Sequence, residues 1–447
     1  MTSSAGGFKQ SRANLTRTLW RWHFYAGVLS APIVMLLGVT GAIYLFKPIA
    51  EPIMYRHLQT VQTVESARRP AELIAAAESD KDRGRAIAIT PPASATQAAE
   101  VTVRDAARRT WLVYVDPSDG RVLGSLEKSR MVMQRVRKLH GELLLGTVGT
   151  MIVELAASWM FVLLASGVGL VWMSASHPVL GVWIPRRTLR GRALRGRTLI
   201  RELHTVTGMW ATAGLLVLLV TGMPWTTVFG SLFKSGLSNA GQWRPAEAEF
   251  RVELQSTPPR GQTSPLSIDA VFALAKTHQM PTGYTLLLPQ GPTGTYGLVA
   301  RNQPLHKQRF VYLDQYTGEV LGQAGGDDFP LAASWVSNGI RLHQGELFGW
   351  PNLVLMLLSA LAAVGLSVTG LLMWWRRRPA GAFAAPPRYD SQAIPRGWLI
   401  GVVLLAVCLP LLAASLVVII LIDRIVASRF PAGTGATSDR NPPGVTN

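Results

Sequence analysis

Four of the eight histidines recur in two pairs of matching motifs. His23 in RWHFYAG and His204 in ELHTVTG each precede a Thr-Gly dipeptide whose glycine is 18 residues further on. His140 in HGELLLG and His343 in HQGELFG each precede a glycine by 27 residues and a tryptophan by 32. Equal spacings of this kind indicate that the chain contains two copies of one plan.

A pair of histidines is a potential metal site, because neutral imidazole is a good ligand for iron, zinc and copper. If a pseudo-two-fold axis relates the two copies, His23 faces His204 and His140 faces His343. A closed zinc site usually needs four ligands, whereas b-type haem iron can be held by two imidazoles. Cys408 is the only cysteine, which excludes an intrachain disulfide, an all-cysteine iron–sulfur cluster and a Cys-x-x-Cys-His haem site. The pairs therefore predict two b-type haems, with these four histidines as axial ligands of the haem iron.

The same residues are also compatible with a purely structural role, in which no cofactor is bound. A histidine at a membrane interface can anchor its helix, and the repeated glycines, which would leave room for a flat macrocycle, can simply permit close helix packing. His177 is a possible alternative ligand. Glu154, inside an apolar segment, is a further candidate, since a buried carboxylate is costly unless it carries a proton or bonds to a neighbouring helix.

The elements that position these residues are membrane helices. Hydrophobic residues make up 48% of the chain and charged residues 16%, whereas soluble domains carry about 25% charged residues. Five apolar segments are long enough to span a bilayer, which needs about 20 residues. The predicted spans are TM1 23–46, TM2 140–173, TM3 203–228, TM4 343–375 and TM5 398–422. TM1 is too long for a cleaved signal peptide and lacks a cleavage site.

Basic residues predict the orientation. The net charge is +18, and segments 1–22, 174–202 and 376–397 contain 4, 7 and 5 Lys or Arg residues respectively, with almost no acids. The positive-inside rule makes these segments cytoplasmic, which disfavours nucleic-acid binding as the reason for the charge. Segments 47–139 and 229–342 are then periplasmic, as is the tail 423–447, which is predicted to be disordered.

The two periplasmic segments repeat as well. YVDPSDGRVLG begins at Tyr114 and YLDQYTGEVLG at Tyr312, and both read as a turn between short strands. The runs Trp111–Val115 and Arg309–Leu313 alternate like strands. The predicted fold is a mainly α membrane protein of five transmembrane helices. Its repeating unit is a helix, a small α+β periplasmic domain and a second helix. This unit occurs twice and is followed by one extra helix. Both copies start on the same side, so the pseudo-two-fold axis should follow the membrane normal.

Taken together, the motifs resemble the PepSY-associated transmembrane family over roughly residues 17–378. The marks are RWHFYAG, VELAASW, ELHTVTG and VTGLLMWWRRR, together with the two YxDxxxGxVLG turns, which are similar to the ends of PepSY domains. A fifth helix is a departure, because family members often end near the fourth.

The resemblance implies an inner-membrane protein of Gram-negative bacteria that reduces ferric-siderophore iron in the periplasm with two b-type haems. By this resemblance, the ligands of the haem iron would be His23, His140, His204 and His343. The chain has no Gly-rich dinucleotide fingerprint after a strand, so electrons would come from a quinol or a separate protein.

Two rival functions are compatible with the same sequence. PepSY modules also occur in proteins that restrain peptidases, so one rival is a membrane adaptor without enzymatic activity. The other is a transporter for metal or siderophore. Transporters usually place broken helices and polar groups at the midplane, where Glu154 is the clear carboxylate here.

Overall fold

The structure, a computed structural model, describes residues 3–64, 66–79, 84–174, 183–184, 196–249, 254–259, 264–378 and 396–429. The chain divides into two compact units, residues 1–389 and 390–447. The first contains the repeated helices and the strands.

The helices of the first unit are α1 Ser3–Tyr44, α2 Lys47–Met54, α3 Arg56–Gln59, α4 Pro70–Glu78, α5 Val132–Glu142, α6 Gly146–Ser174, α7 Arg197–Gly222, α8 Val228–Asn239, α9 Ala246–Glu249, α10 Ile268–Thr277, α11 Leu331–His343 and α12 Trp350–Trp375. Its strands are β1 Arg85–Thr90, β2 Ala99–Arg104, β3 Thr110–Val115, β4 Val122–Glu127, β5 Thr285–Leu287, β6 Thr295–Val299, β7 Arg309–Asp314 and β8 Val320–Gly325. The second unit contains α13 Arg396–Cys408 and α14 Pro410–Arg429.

Four helices of the described chain are long and apolar enough to cross a membrane: Leu15–Tyr44, Gly146–Met173, Arg197–Trp225 and Trp350–Trp375. Helix α1 packs against α6 and α12, and α7 packs against the same two helices. At Gly38 a Cβ atom would lie 2.8 Å from the carbonyl oxygen of Ala360 on α12. Glycine is therefore needed there for the close approach of α1 and α12.

The second and fourth spans begin later than predicted. The predicted TM2 140–173 divides into α5 and α6 at Leu143 and Leu144, which have φ of 49° and 59°. The predicted TM4 343–375 divides at Gly345, with φ of 75°. Left-handed residues end a helix and redirect the chain. Buried Asn352 then holds the second turn, because its amide donates to Leu342 O at 2.9 Å and accepts from Leu347 N–H at 3.0 Å.

The predicted fifth span, Trp398–Ile422, forms two helices, α13 and α14, instead of one uninterrupted helix. They meet at Leu409, next to Pro410. Proline lacks the N–H that would continue the helical hydrogen bonds, which accounts for the break. A fifth crossing remains a prediction. The predicted cytoplasmic loops lie largely outside the described residues, and the tail 423–447 lies outside them beyond residue 429.

Both polar segments contribute to one antiparallel sheet of eight strands, in the order β4-β3-β2-β1-β5-β6-β7-β8. Each half is a four-strand meander. The halves join where β1 pairs with its counterpart β5, through Ala88 opposite Leu287 and Ile89 opposite Leu286. Antiparallel pairing of equivalent strands is what a two-fold axis between them produces. The sequence repeat indicated two similar units but not this shared edge.

The repeated turn motifs form matching hairpins, which confirms both predicted strand runs. The β3–β4 pair shifts register after Tyr114, and the β7–β8 pair shifts after Tyr312. Asp314 accepts hydrogen bonds from Tyr316 and Thr317 N–H groups within the second turn. Such carboxylate-to-backbone bonds are the reason that Asp is favoured in turns.

One hydrophobic core crosses the seam between the halves. Its buried residues come from α4 and α10 and from strands of both halves, including Leu73, Val101, Val271, Leu298 and Leu313. Burial of apolar surface is the main favourable contribution to folding. The two halves of the sheet therefore stabilise one another.

Candidate functional site

The described helices bring the four repeated histidines together as two pairs. His23 on α1 and His204 on α7 lie near the ends of the spans that adjoin the predicted basic loops, here called the loop end. Their ring centroids are 6.3 Å apart and their planes are at 89°. The structure therefore brings these two residues together, as the sequence repeat predicts.

The second pair lies at the opposite end of the spans, next to the sheet, here called the sheet end. His140 and His343 have ring centroids 6.3 Å apart and planes at 76°. Both had been expected at the ends of the spans themselves. They lie instead on the short helices α5 and α11, which turn into α6 and α12. The left-handed residues Leu143, Leu144 and Gly345 end the short helices and so cause this placement.

Each of the four imidazoles has a hydroxyl partner on a neighbouring helix. In every case the Nδ1 atom lies within hydrogen-bonding distance of a serine or threonine side chain. The pairs are His23 with Ser166 at 3.0 Å, His204 with Thr369 at 2.8 Å, His140 with Thr40 at 3.0 Å and His343 with Thr221 at 3.1 Å.

The hydroxyl protons are already used within their own helices, which decides the direction of these bonds. The hydroxyls donate to the carbonyl oxygen four residues earlier: Ser166 to Val162 at 2.6 Å, Thr369 to Gly365 at 2.7 Å, Thr40 to Leu36 at 2.7 Å and Thr221 to Val217 at 2.5 Å. Each imidazole must then donate its Nδ1–H to the hydroxyl oxygen. In that tautomer Nε2 carries the free lone pair, which is the state required of a metal ligand.

The sequence contains a signal for these hydroxyl partners. Each repeated glycine is preceded by a hydroxyl residue, in Thr40-Gly41, Ser166-Gly167, Thr221-Gly222 and Thr369-Gly370. Thr40-Gly41 and Thr221-Gly222 were recognised as a repeat. Their role as partners of histidines on other helices was missed, because sequence spacing does not reveal which helices pack together.

The glycines make room for the imidazole rings themselves. A Cβ atom would lie 3.2 Å from His140 Cε1 at Gly41 and 3.2 Å from His23 Cε1 at Gly167. At Gly222 it would lie 3.3 Å from His343 Cε1. Any larger residue would push the ring away from the helix. In each dipeptide, the hydroxyl residue therefore binds the imidazole ring and the glycine leaves space for it.

The two sheet-end histidines lie outside the four candidate spans and are neutral at physiological pH. Burial lowers the pKa of His140. Burial, and secondarily the charge on His140, lowers the pKa of His343 to about 4. A neutral imidazole is the form that binds a metal. Within the described residues, no group of three or more His, Cys, Asp or Glu residues forms a metal site.

Glu154 is almost fully buried in α6, with 1% of its surface exposed. Its two oxygens accept the backbone N–H groups of Val228 and Phe229, each at 2.8 Å, at the start of α8. This is the neighbouring-helix bond that was one of its two expected roles. The carboxylate satisfies N–H groups that a helix start leaves unpaired and interacts favourably with the helix dipole.

The remaining predicted candidate, His177, lies outside the described residues. His57 is exposed, and His306 lines a cavity of about 480 Å³ beside β7 and β8 with Gln279 and Asp328. Neither belongs to either histidine pair.

Comparison with known proteins places this arrangement in context. The family model for the PepSY-associated TM region matches residues 20–377, which include all four paired histidines. No curated protein matches the chain.

Proposed function

Since this chain belongs to the PepSY-associated transmembrane family, we propose that it is a di-haem b oxidoreductase of the bacterial inner membrane. It passes electrons across the membrane and reduces ferric-siderophore iron to Fe(II) on the periplasmic side, so that the iron is released. The observation that carries the proposal is the pair of bis-histidine sites, one at each end of the spans.

The spacing of the rings is suited to one iron atom between them. Bonds from a metal to histidine nitrogen are about 2 Å long, so two imidazoles this close together could be shared by one metal atom. Both pairs have a separation of 6.3 Å. His23 and His204 would hold one haem, and His140 and His343 the other.

The donor set also favours haem over a bare ion. Each site offers two neutral imidazoles, and a porphyrin supplies the four further nitrogens that complete the coordination of iron. Haem, when bound, supplies a one-electron redox centre. The hydroxyls of Ser166, Thr369, Thr40 and Thr221 fix the tautomers and orient the rings, as partners of metal-bound histidines commonly do.

The two sites are placed to connect the two faces of the membrane. His23 and Gly41, against which His140 lies, are 18 residues apart on α1, or about 27 Å along the helix axis. The hydrocarbon core is about 30 Å thick. The basic segments favour a cytoplasmic loop end and a periplasmic sheet. Electrons enter at the loop end, from a quinol or a separate protein, and leave below the sheet.

The test of the proposal is a visible absorption spectrum of the detergent-purified protein before and after dithionite. Sharp reduced α and β bands, with about two haems per chain by pyridine haemochrome, are expected from two bis-histidine sites. Reduced protein should then be reoxidised by a ferric siderophore. A protein that stays colourless after expression with haem precursor would contradict the proposal and favour the adaptor function.

Thr221→Val is expected to loosen the sheet-end haem. Valine keeps the shape of the side chain but removes the oxygen that accepts the His343 Nδ1–H bond. Loss of such a partner typically weakens metal binding by about 10-fold or more. The rate of haem transfer to apomyoglobin measures this change, and the midpoint potential of the affected haem should rise because the imidazole becomes less electron-donating.

The matched control is Thr212→Val, on the same helix. The Thr212 hydroxyl donates to Gly208 O at 2.7 Å, within its own helix. This variant should release haem at the rate of the unmodified protein. Equal haem release from the Thr221 and Thr212 variants would show that the hydroxyl does not support the ligand.

A further inference from the structure

The second half of the sheet contains a cavity that neither histidine pair uses. It lies between the chain that follows α10, the turn before β7 and the turn after β8. Its volume is about 480 Å³, within the range of small-molecule sites, about 300–1,000 Å³. Its polar lining includes Gln279, Lys307, Arg309, Gln323, Asp327 and Asp328. These six residues are named the charged cavity.

Charges of both signs line the charged cavity without pairing with one another. Lys307 and Arg309 are the cations, and Asp327 and Asp328 are the anions. In the described part of the chain, the side chains of Lys307, Arg309 and Asp327 make no hydrogen bond or ion pair. Asp328 accepts one hydrogen bond, from Gly325 N–H at 2.7 Å. The cavity therefore presents separate cationic and anionic groups to a ligand.

The first half of the sheet has a different residue at the corresponding place. Trp111 lies opposite Glu127 in the β3–β4 pair, as Arg309 lies opposite Gly325 in the β7–β8 pair. The Trp111 indole packs against the buried core. The second copy thus has a charged side chain where the first copy has a large aromatic ring that fills space.

The charges of the first half are also paired. Arg109, the counterpart of Lys307, forms an ion pair with Asp105 at 2.7 Å. Arg130 forms another with Glu127 at 2.9 Å. Since the two halves share one fold, the fold itself does not require the unpaired charges of the second half. A ligand that pairs with them gives these charges a role.

The rest of the lining indicates a ligand with amide-like polar groups. Gln279 and Gln323 each present an amide, which both donates and accepts hydrogen bonds. In the described residues neither side chain has a partner. No Phe, Tyr or Trp residue is among the described residues that line the cavity. Charge and hydrogen bonds, rather than apolar packing, would therefore hold the ligand.

We propose that the charged cavity binds a small zwitterion of the amino-acid or short-peptide class. Arg309 and Lys307 would bind its carboxylate, and Asp327 and Asp328 its ammonium group. Hydrogen bonds between charged groups are the stronger kind, and two such contacts at opposite ends select the length of the ligand. The two glutamine amides would bind peptide groups between the ends. This site does not depend on the proposed function, because no haem takes part in it.

The test is isothermal calorimetry of the full-length protein in a nonionic detergent, with alanine and trialanine as ligands. N-acetyl-trialanine lacks the ammonium group, and trialanine amide lacks the carboxylate. Each blocked peptide is expected to bind about 10-fold or more weakly than trialanine, because it loses one charged contact. High salt should also weaken binding, since the charges are exposed. Tighter binding of alanine than of trialanine would assign the site to a free amino acid, and the reverse to a peptide.

Variants of the two charge signs test the cavity itself. Arg309→Gln and Asp327→Asn should each raise the Kd of the zwitterion about 10-fold or more. Arg309→Trp introduces the residue of the first copy and should abolish binding by filling the cavity. Arg108→Gln, in the matching turn of the first half, should leave the Kd unchanged. All three positions are exposed, and thermal unfolding verifies that each variant is folded.

Several results would overturn the proposal: no binding of either zwitterion at millimolar concentration, equal binding of trialanine and its blocked forms, or an equal loss in Arg108→Gln. A loss in Arg309→Gln without one in Asp327→Asn would show a simple anion site and refute the zwitterion assignment. A protein that binds the zwitterion but contains no haem would refute the proposed function and leave this site standing.

Discussion

Replacing His140 with alanine is expected to reduce the haem content from about two per chain to about one, as the bis-histidine ligation of b-type haem requires. The variant would lose one axial ligand of the sheet-end site and leave His343 without its partner. The haem held by His23 and His204 would remain, since the two pairs share no ligand and lie about 27 Å apart along α1. Pyridine haemochrome counts the haems, and the low-spin absorption of the reduced protein should fall by half.

The reciprocal variant tests the other histidine pair. His204→Ala should remove the loop-end haem, so the haems that remain in the two variants should have different midpoint potentials. His57→Ala is the matched control, because His57 is exposed and lies outside both pairs. Two low-spin haems in the His140 variant would refute the assignment of the sheet-end site.

The second large effect is expected at Glu154. Glu154→Leu would leave the N–H groups of Val228 and Phe229 without acceptors in a buried setting. Each such group costs about 1–3 kcal/mol, so the variant should lose roughly 2–6 kcal/mol of stability and unfold at a lower temperature. Thermal unfolding in detergent measures the change.

Ser158→Ala provides the control for Glu154. Ser158 is equally buried, one turn further along α6, but its hydroxyl donates only to the carbonyl of Glu154, at 2.8 Å. This bond lies within one helix, and its removal should cost less than about 1 kcal/mol. Similar losses in the Glu154 and Ser158 variants would mean that the bond to α8 contributes little.

Much of the candidate site could be predicted from spacing alone. His23 and Gly41 share one helix, so 18 residues define how far apart they lie. The identical spacing from His204 to Gly222 then pairs equivalent histidines across a pseudo-two-fold axis. The strands β3 and β7 were also predictable, because alternation along a strand and turn residues after it are local properties. The breaks after Glu142 and His343 were not predicted, although Gly345, Gly349 and Pro351 near the second break are residue types that commonly end or redirect a helix.

The sequence by itself determined which residues recur, that several segments are long and apolar enough to cross a membrane, and which side the positive charge favours. These properties depend on one segment at a time or on a comparison of two segments. The tertiary structure decided which helices lie in contact. These contacts place Thr221 beside His343, Val228 beside Glu154, and strand β1 beside strand β5. Each of these contacts joins residues from different elements, and side-chain packing, rather than any local pattern, selects such partners.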